Sequence, residues 1–211
     1  MTPTTTPGLQ QERDGVIRSS DLFDGYQRHD RWREKERDEW LTPPEIIKAL
    51  GKFDLDPSAP RVRPWPMARE HYTVEDSGLL KPWRGRVWLN PPYGLVIGKW
   101  MARMAEHKNG VALIFARTES EYWHEHVWPN ADALLFLRGR LKFYNVNGTQ
   151  SENTGPAPSV LVAYGRANVE ALKTCGLAGA LAYPSNVQTV PAAAGDSEST
   201  QEPSPPLGTS E

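Results

Sequence analysis

The chain has a single cysteine, Cys175, in 211 residues, which excludes an internal disulfide and any metal site built on thiolates. A dominant charge is missing too. Against 24 Lys and Arg stand 26 Asp and Glu, so bulk attraction cannot be its grip on a polynucleotide. Any such grip needs a local basic patch. No apolar run approaches transmembrane length and residues 1–20 carry no apolar signal core, so the expected location is cytoplasmic, without a membrane. No phosphate loop, Gly-x-Ser-x-Gly or paired-carboxylate spacing occurs. Trp123-His124-Glu125-His126 sets its histidines at i and i+2, on different helix faces, so no metal is expected.

What is plentiful is tryptophan, eight in all, enough large rigid pieces for the core of one ordinary domain. Composition divides the chain in three. Residues 1–37 open Thr-, Pro- and Gln-rich and pass into a mixed-charge run, the expectation being a flexible charged arm. Residues 181–211 are Ala, Pro, Ser, Thr and Glu, with Pro203, Pro205 and Pro206 close together, and read as a disordered tail. Between them, 38–180 alternates strand and helix signals, the pattern of a compact single α/β domain.

Within that domain Thr42, Pro43 and Glu45 read as the N-cap, first turn and capping box of a helix whose apolar face is Ile46, Ile47 and Leu50, stopped by Gly51. Phe53–Asp56 reads as a strand running into a turn, and 61–85 as irregular. Ile97, Trp100, Met101 and Met104 recur at helical spacing over 96–108, with Gly110 as the stop. Continuous apolar runs at 111–115, 133–137 and 159–164 predict strands buried on both faces. Short helices are expected at 119–127 and 168–174.

The stretch around which these elements are organised is Arg86-Val87-Trp88-Leu89-Asn90-Pro91-Pro92-Tyr93-Gly94. An apolar strand ends in two prolines, neither with an N–H to donate, so Asn90 arrives at a strand's carboxyl end on a stiffened backbone. That edge is where open α/β sheets bind ligands. The chemistry suited to it is transfer to an exocyclic base amine, a poor nucleophile because its lone pair is delocalised into the ring. The Asn90 side-chain carbonyl and the Pro91 backbone carbonyl can each accept one N–H, turning the lone pair toward an electrophile. Pro92 stiffens the turn, and Tyr93 offers a face on which an extruded base stacks, worth ~1–3 kcal/mol. Positioning and preorganised acceptors carry such catalysis, with no titrating base.

Several landmarks in one order resemble the phage-type (Dam-like) DNA N6-adenine methyltransferases. They are Asp38-Glu39-Trp40-Leu41-Thr42-Pro43, Leu55-Asp56-Pro57-Ser58-Ala59, Tyr72-Thr73, Asp76-Ser77-Gly78-Leu79, Trp83-Arg84-Gly85, the Asn90 motif and Gly139-Arg140-Leu141-Lys142-Phe143. The likeness spans about 38–165. It implies a Rossmann-like sheet, S-adenosylmethionine as donor, adenine in double-stranded DNA as target, and a host's cytoplasm if the gene is a phage's. It also implies that Asn90, Pro91, Pro92 and Tyr93 hold the target, and that Trp40, Thr42, Pro43, Asp56, Ser58, Asp76 and Asn90 meet the cofactor. Asp56 would face the cofactor's ammonium or a bridging water, and Asp76 its adenine. In one respect the chain departs from the pattern: Asp56-Pro57-Ser58-Ala59-Pro60 lacks the glycines that let a cofactor loop approach its ligand closely.

Arg138, Arg140 and Lys142 form the densest basic cluster free of interleaved acids and are the expected DNA contacts, with Arg103 and Arg117 as possible neighbours. In the polar loop 144–158, Asn145, Asn147 and Gln150 have the chemistry to read adenine edges. Two other readings stay open at this point. The same motif serves cytosine N4, RNA or a protein glutamine amide, and a silent relative could bind DNA or cofactor without transfer.

Overall fold

The computed structural model describes residues 40–187 and 190. The expected arm over 1–37, and of the expected tail 188–189 and 191–211, lie outside the described residues. A seven-stranded mixed sheet carries the fold. Its strands are β2 (Leu55–Asp56), β3 (Glu70–His71), β4 (Val87–Leu89), β5 (Gly110–Phe115), β6 (Ala133–Leu137), β8 (Ser159–Tyr164) and β9 (Gly179–Ala182), in the spatial order β3-β2-β4-β5-β8-β6-β9. The first four pair in parallel; β8 runs antiparallel to both β5 and β6, and β9 antiparallel to β6. A separate two-stranded ribbon joins β1 (Trp40–Leu41) to β7 (Tyr144–Asn145).

Both faces of the central strands are covered, so those strands are apolar throughout, as parallel, doubly covered strands must be. Side chains alternate between two cores. Val87 and Leu89, Ala112 and Ile114, and Val160, Val162 and Tyr164 point into one, which is filled by helix α2 (Ile97–His107) through Ile97, Trp100, Met101 and Met104. Trp88, Leu113, Phe115 and Leu161 point into the other, against helix α1 (Pro44–Leu50) and helix α3 (Arg166–Thr174). The result is a mixed α/β domain of three layers.

Four local expectations change. α1 is capped by Pro43, with no side-chain cap, so Thr42 is not an N-cap. α2 ends through Lys108 in the left-handed conformation, not at Gly110, which opens β5 instead. The segment over 119–127 closes in a π-helical turn, Trp123–Val127. In the stretch read as irregular, β3 forms by pairing with β2. At the far edge β9 continues the sheet through Ala182.

Arg86 ties the elements together at the edge opposite the strands' carboxyl ends. Its Nε donates to Asn168 Oδ1 at 2.6 Å, and its Nη1 to the carbonyls of Leu50 and Lys52 at 2.9 Å each. Its guanidinium also lies 4.2 Å from the Phe53 ring centroid. One side chain thus joins the end of α1, the start of β4 and the start of α3. Arg86→Ala leaves those carbonyls and the buried Asn168 without their donor. We expect it to cost about 2–3 kcal/mol and lower the melting temperature by roughly 5–10 °C, as measured by thermal unfolding.

Candidate active site

β2, β4, β5 and β6 all point their carboxyl ends to one edge, since β6 is set parallel to β5 by the reversed β8 between them. Asp56, Asn90 and Arg138 therefore come to the same rim from three separate stretches of chain. β2 and β4 are immediate neighbours, with Leu55 opposite Val87, and beyond their ends Ser58 contacts both Asp56 and Asn90.

Pro91 and Pro92 end β4, and Asn90 is held from two sides. The Ser58 hydroxyl donates to the Asn90 backbone carbonyl at 3.0 Å, and Asn90 Nδ2 donates to the Trp40 carbonyl at 3.2 Å. With the amide NH2 turned to β1, the amide oxygen faces away, buried and without a partner. Among the described residues, the Pro91 carbonyl accepts no hydrogen bond either. Two open acceptors therefore lie on adjacent residues. The Tyr93 ring is stacked on Phe115 at 4.2 Å and 19° between planes, which fixes one of its faces. Phe115 is braced edge-on in turn by Phe143.

Asp56 is only 3% exposed. Burial disfavours its charge and raises its pKa to about 7, an effect that a 3.1 Å bond from the Ser58 N–H and the field of Arg63 only partly offset. No salt bridge among the described residues includes it. A positive charge beside it would favour its ionised form.

Trp40, Thr42, Asp56, Ser58, Trp88 and Asn90 line one cavity of about 20 Å³, room for a single water. Three of its buried polar atoms have no partner: Thr42 Oγ1, Trp88 Nε1 and Asn90 Oδ1. Left unmet, each such orphan atom costs about 1–3 kcal/mol, so a water or a polar group of a ligand placed among them would be held favourably. Capping does not account for the Thr42 hydroxyl. A larger opening of about 300 Å³, lined by Asp54, Arg69, Glu70, Tyr72 and Arg84, contains none of these orphans. Its arginine Arg69 is already paired with Glu70 at 3.2 Å and lies 3.9 Å from Asp54. Size favours that opening; chemistry favours the smaller cavity.

The other expected residues are distributed as follows. Pro43 lies beside the cavity, and its carbonyl accepts the first bond of α1 from Ile46 at 3.0 Å. Asp76 closes its own turn, accepting from the Thr73 N–H at 2.9 Å and from Lys81 at 2.7 Å, and these bonds bring its pKa down to about 2. That turn is docked on the Asp56 loop, because Gly78 sits where a Cβ would strike the Pro57 carbonyl. Asp76 is thus near the cavity but does not line it. Arg138, Arg140 and Lys142 are exposed on the same rim, and no salt bridge among the described residues includes them. Arg103 is elsewhere, donating to the Lys81 carbonyl at 3.0 Å and lying over Trp83. The polar loop folds into a hairpin around Asn145–Thr149, where Asn147 Oδ1 accepts from the Thr149 N–H and hydroxyl and Asn145 Nδ2 donates to Thr149. Those amides hold the turn.

Two contributors went unread in the sequence. Trp88 sits two residues before Asn90 and so shares its face of the strand, a signal the period of two does carry. Phe115 backs Tyr93 only because β4 and β5 pair in a particular register, which no local pattern reveals.

A family model described as DNA N-6-adenine-methyltransferase (Dam) matches residues 30–174. No curated protein matches the chain.

Proposed function

The chain belongs to the DNA N-6-adenine-methyltransferase (Dam) family, and on that premise we propose that it transfers a methyl group from S-adenosylmethionine to the N6 amine of an adenine flipped out of double-stranded DNA. The observation that carries this reading is the cavity in which the open Asn90 acceptor, the Thr42 and Trp88 orphans and the Asp56 carboxylate meet at the carboxyl edge of β2 and β4. The sheet then serves as a Rossmann-like methyltransferase sheet, and 38–180 as the methyltransferase domain.

The donor set fits S-adenosylmethionine: a buried carboxylate for its ammonium, a hydroxyl, and an indole N–H. Trp40, Thr42, Asp56, Ser58 and Asn90 would hold it, with Pro43 and Asp76 supporting the walls. When bound, the cofactor supplies a methyl on a sulfonium centre. Asn90 Oδ1 and the Pro91 carbonyl accept the two N6 hydrogens and aim the nitrogen lone pair. That methyl would pass to the amine nitrogen held by Asn90 and Pro91, with one amine proton lost to solvent. Pro91 and Pro92 limit how far these acceptors can move, and the Tyr93 ring, backed by Phe115, would stack the base. Admitting a nucleoside to a space of about 20 Å³ requires β1 to part from Asn90, and the Trp40–Asn90 bond is the contact to break.

Arg138, Arg140 and Lys142 take DNA phosphates along the rim. Each charge removed, as in Arg138→Ala or Lys142→Ala, is expected to reduce the slope of log affinity against log salt by about 0.9, read by titrating a duplex at several salt concentrations. The transfer itself is tested by incubating protein with methyl-labelled S-adenosylmethionine and DNA, then digesting to nucleosides. Label in N6-methyladenine is expected; label in N4-methylcytosine, or none in DNA, contradicts the reading.

A further inference from the structure

Leu95 stands two residues beyond Tyr93 and is fully exposed, at 101%, the most exposed large apolar side chain among the described residues. Nothing in folding explains it. α2 buries Ile97, Trp100, Met101 and Met104, and Val96 packs against the same core, but Leu95 lies off that face. The chain is turned outward just before it. Gly94 has φ +105°, a conformation that L side chains rarely adopt, and a Cβ built there meets nothing within 4 Å. The tip therefore stands clear of the body of the protein. It does so at the same rim as Asn90 and the exposed basic strip, where a duplex held by its phosphates would face it.

Drawing an adenine out of a duplex leaves a gap in the base stack, at a cost of a few kcal/mol. Apolar side chains are the groups that fill such gaps, by inserting between base steps. Leu95 is at most about 7 Å from Tyr93 between Cα atoms, from the reach of two extended residues. Resting on the function proposed above, we infer that Leu95 is the wedge that enters the duplex and occupies the space vacated by the target adenine while Tyr93 receives it. It is a positioning residue and touches neither the reacting nitrogen nor the methyl.

The wedge makes its contribution only when there is a stacked, paired base to displace. Two duplexes carrying a sequence methylated by the protein separate this from other roles, one with adenine paired to thymine and one with adenine opposite an abasic site, where extrusion is already easy. Leu95→Ala is expected to lower kcat/KM about tenfold or more on the paired duplex and by less than about threefold on the abasic one, with Leu95→Phe retaining activity on both. Equal losses on both duplexes, or no loss on either, overturn the wedge alone. Wild-type protein for which no methylated duplex sequence can be found overturns the function as well, and the wedge with it. Because Leu95 has no packing to lose, matching unfolding curves for wild type and variant show that the comparison is between folded proteins.

Discussion

Asn90→Ala is expected to reduce methyl transfer by at least about 100-fold while shifting unfolding little, since a preorganised polar group aimed at the reacting centre is worth about 3–4 kcal/mol in the transition state. The asymmetry comes from how Asn90 is bonded. Among the described residues its side-chain nitrogen makes one bond, to the Trp40 carbonyl, and its oxygen makes none. Folding therefore gains little from the amide, and the orphaned oxygen even opposes it. Catalysis, by contrast, would lose one of two acceptors that orient the amine. Single-turnover transfer beside a thermal melt separates the two effects. A variant that keeps wild-type rates, or that fails to fold, is not what this bonding predicts.

Asp56 gives the second large effect, with opposite signs in stability and binding. The unfolded carboxyl ionises near its ordinary value of 3.8, whereas the folded one holds its proton until about pH 7. Between those values the native state binds the extra proton, so stability falls as pH rises from about 4 to about 7 and is level above and below. At pH 8 the burial cost is fully present, up to about 4 kcal/mol for a shift of this size. Asp56→Asn removes it. The variant is expected to be more stable than wild type at pH 8 and close to it at pH 4, as read by urea unfolding at both. A cationic ligand reverses the balance, since it pairs with the ionised form. Binding of S-adenosylmethionine to wild type should tighten as pH rises through about 7, while binding to Asp56→Asn should be weak and lack that step. Calorimetric titration across pH checks both.

The buried strands and α2 were legible in the sequence because periodicity reports burial directly. Runs without a polar residue gave β5, β6 and β8 nearly to their ends, and the spacing of Ile97, Trp100, Met101 and Met104 gave the inward face of α2. Short strands made by pairing alone were not legible. Glu70–His71 has no apolar pattern and is a strand only because β2 lies beside it. Tyr144–Asn145 is one only because it meets Trp40–Leu41. Thr42 shows the limit of local rules: its sequence context is that of a helix cap, yet the chain pairs as β1 up to Leu41, Pro43 takes the cap, and the hydroxyl is left in the cavity. Of the site, Asn90 and Asp56 were visible as polar residues ending apolar strands. Their adjacency, and the orphaned atoms around them, exist only once β2 and β4 have paired.

The proposed transfer requires the methyl donor to sit in the small cavity at the carboxyl edge, not in the larger opening beside Arg69 and Arg84. Photochemical crosslinking of radiolabelled S-adenosylmethionine, followed by peptide mapping, tests that choice directly. Label in peptides containing Trp40–Thr42, Asp56–Ser58 or Trp88–Asn90, competed away by excess unlabelled cofactor, is the expected result. Competable label confined to peptides carrying Arg69–Tyr72 or Arg84 would contradict it.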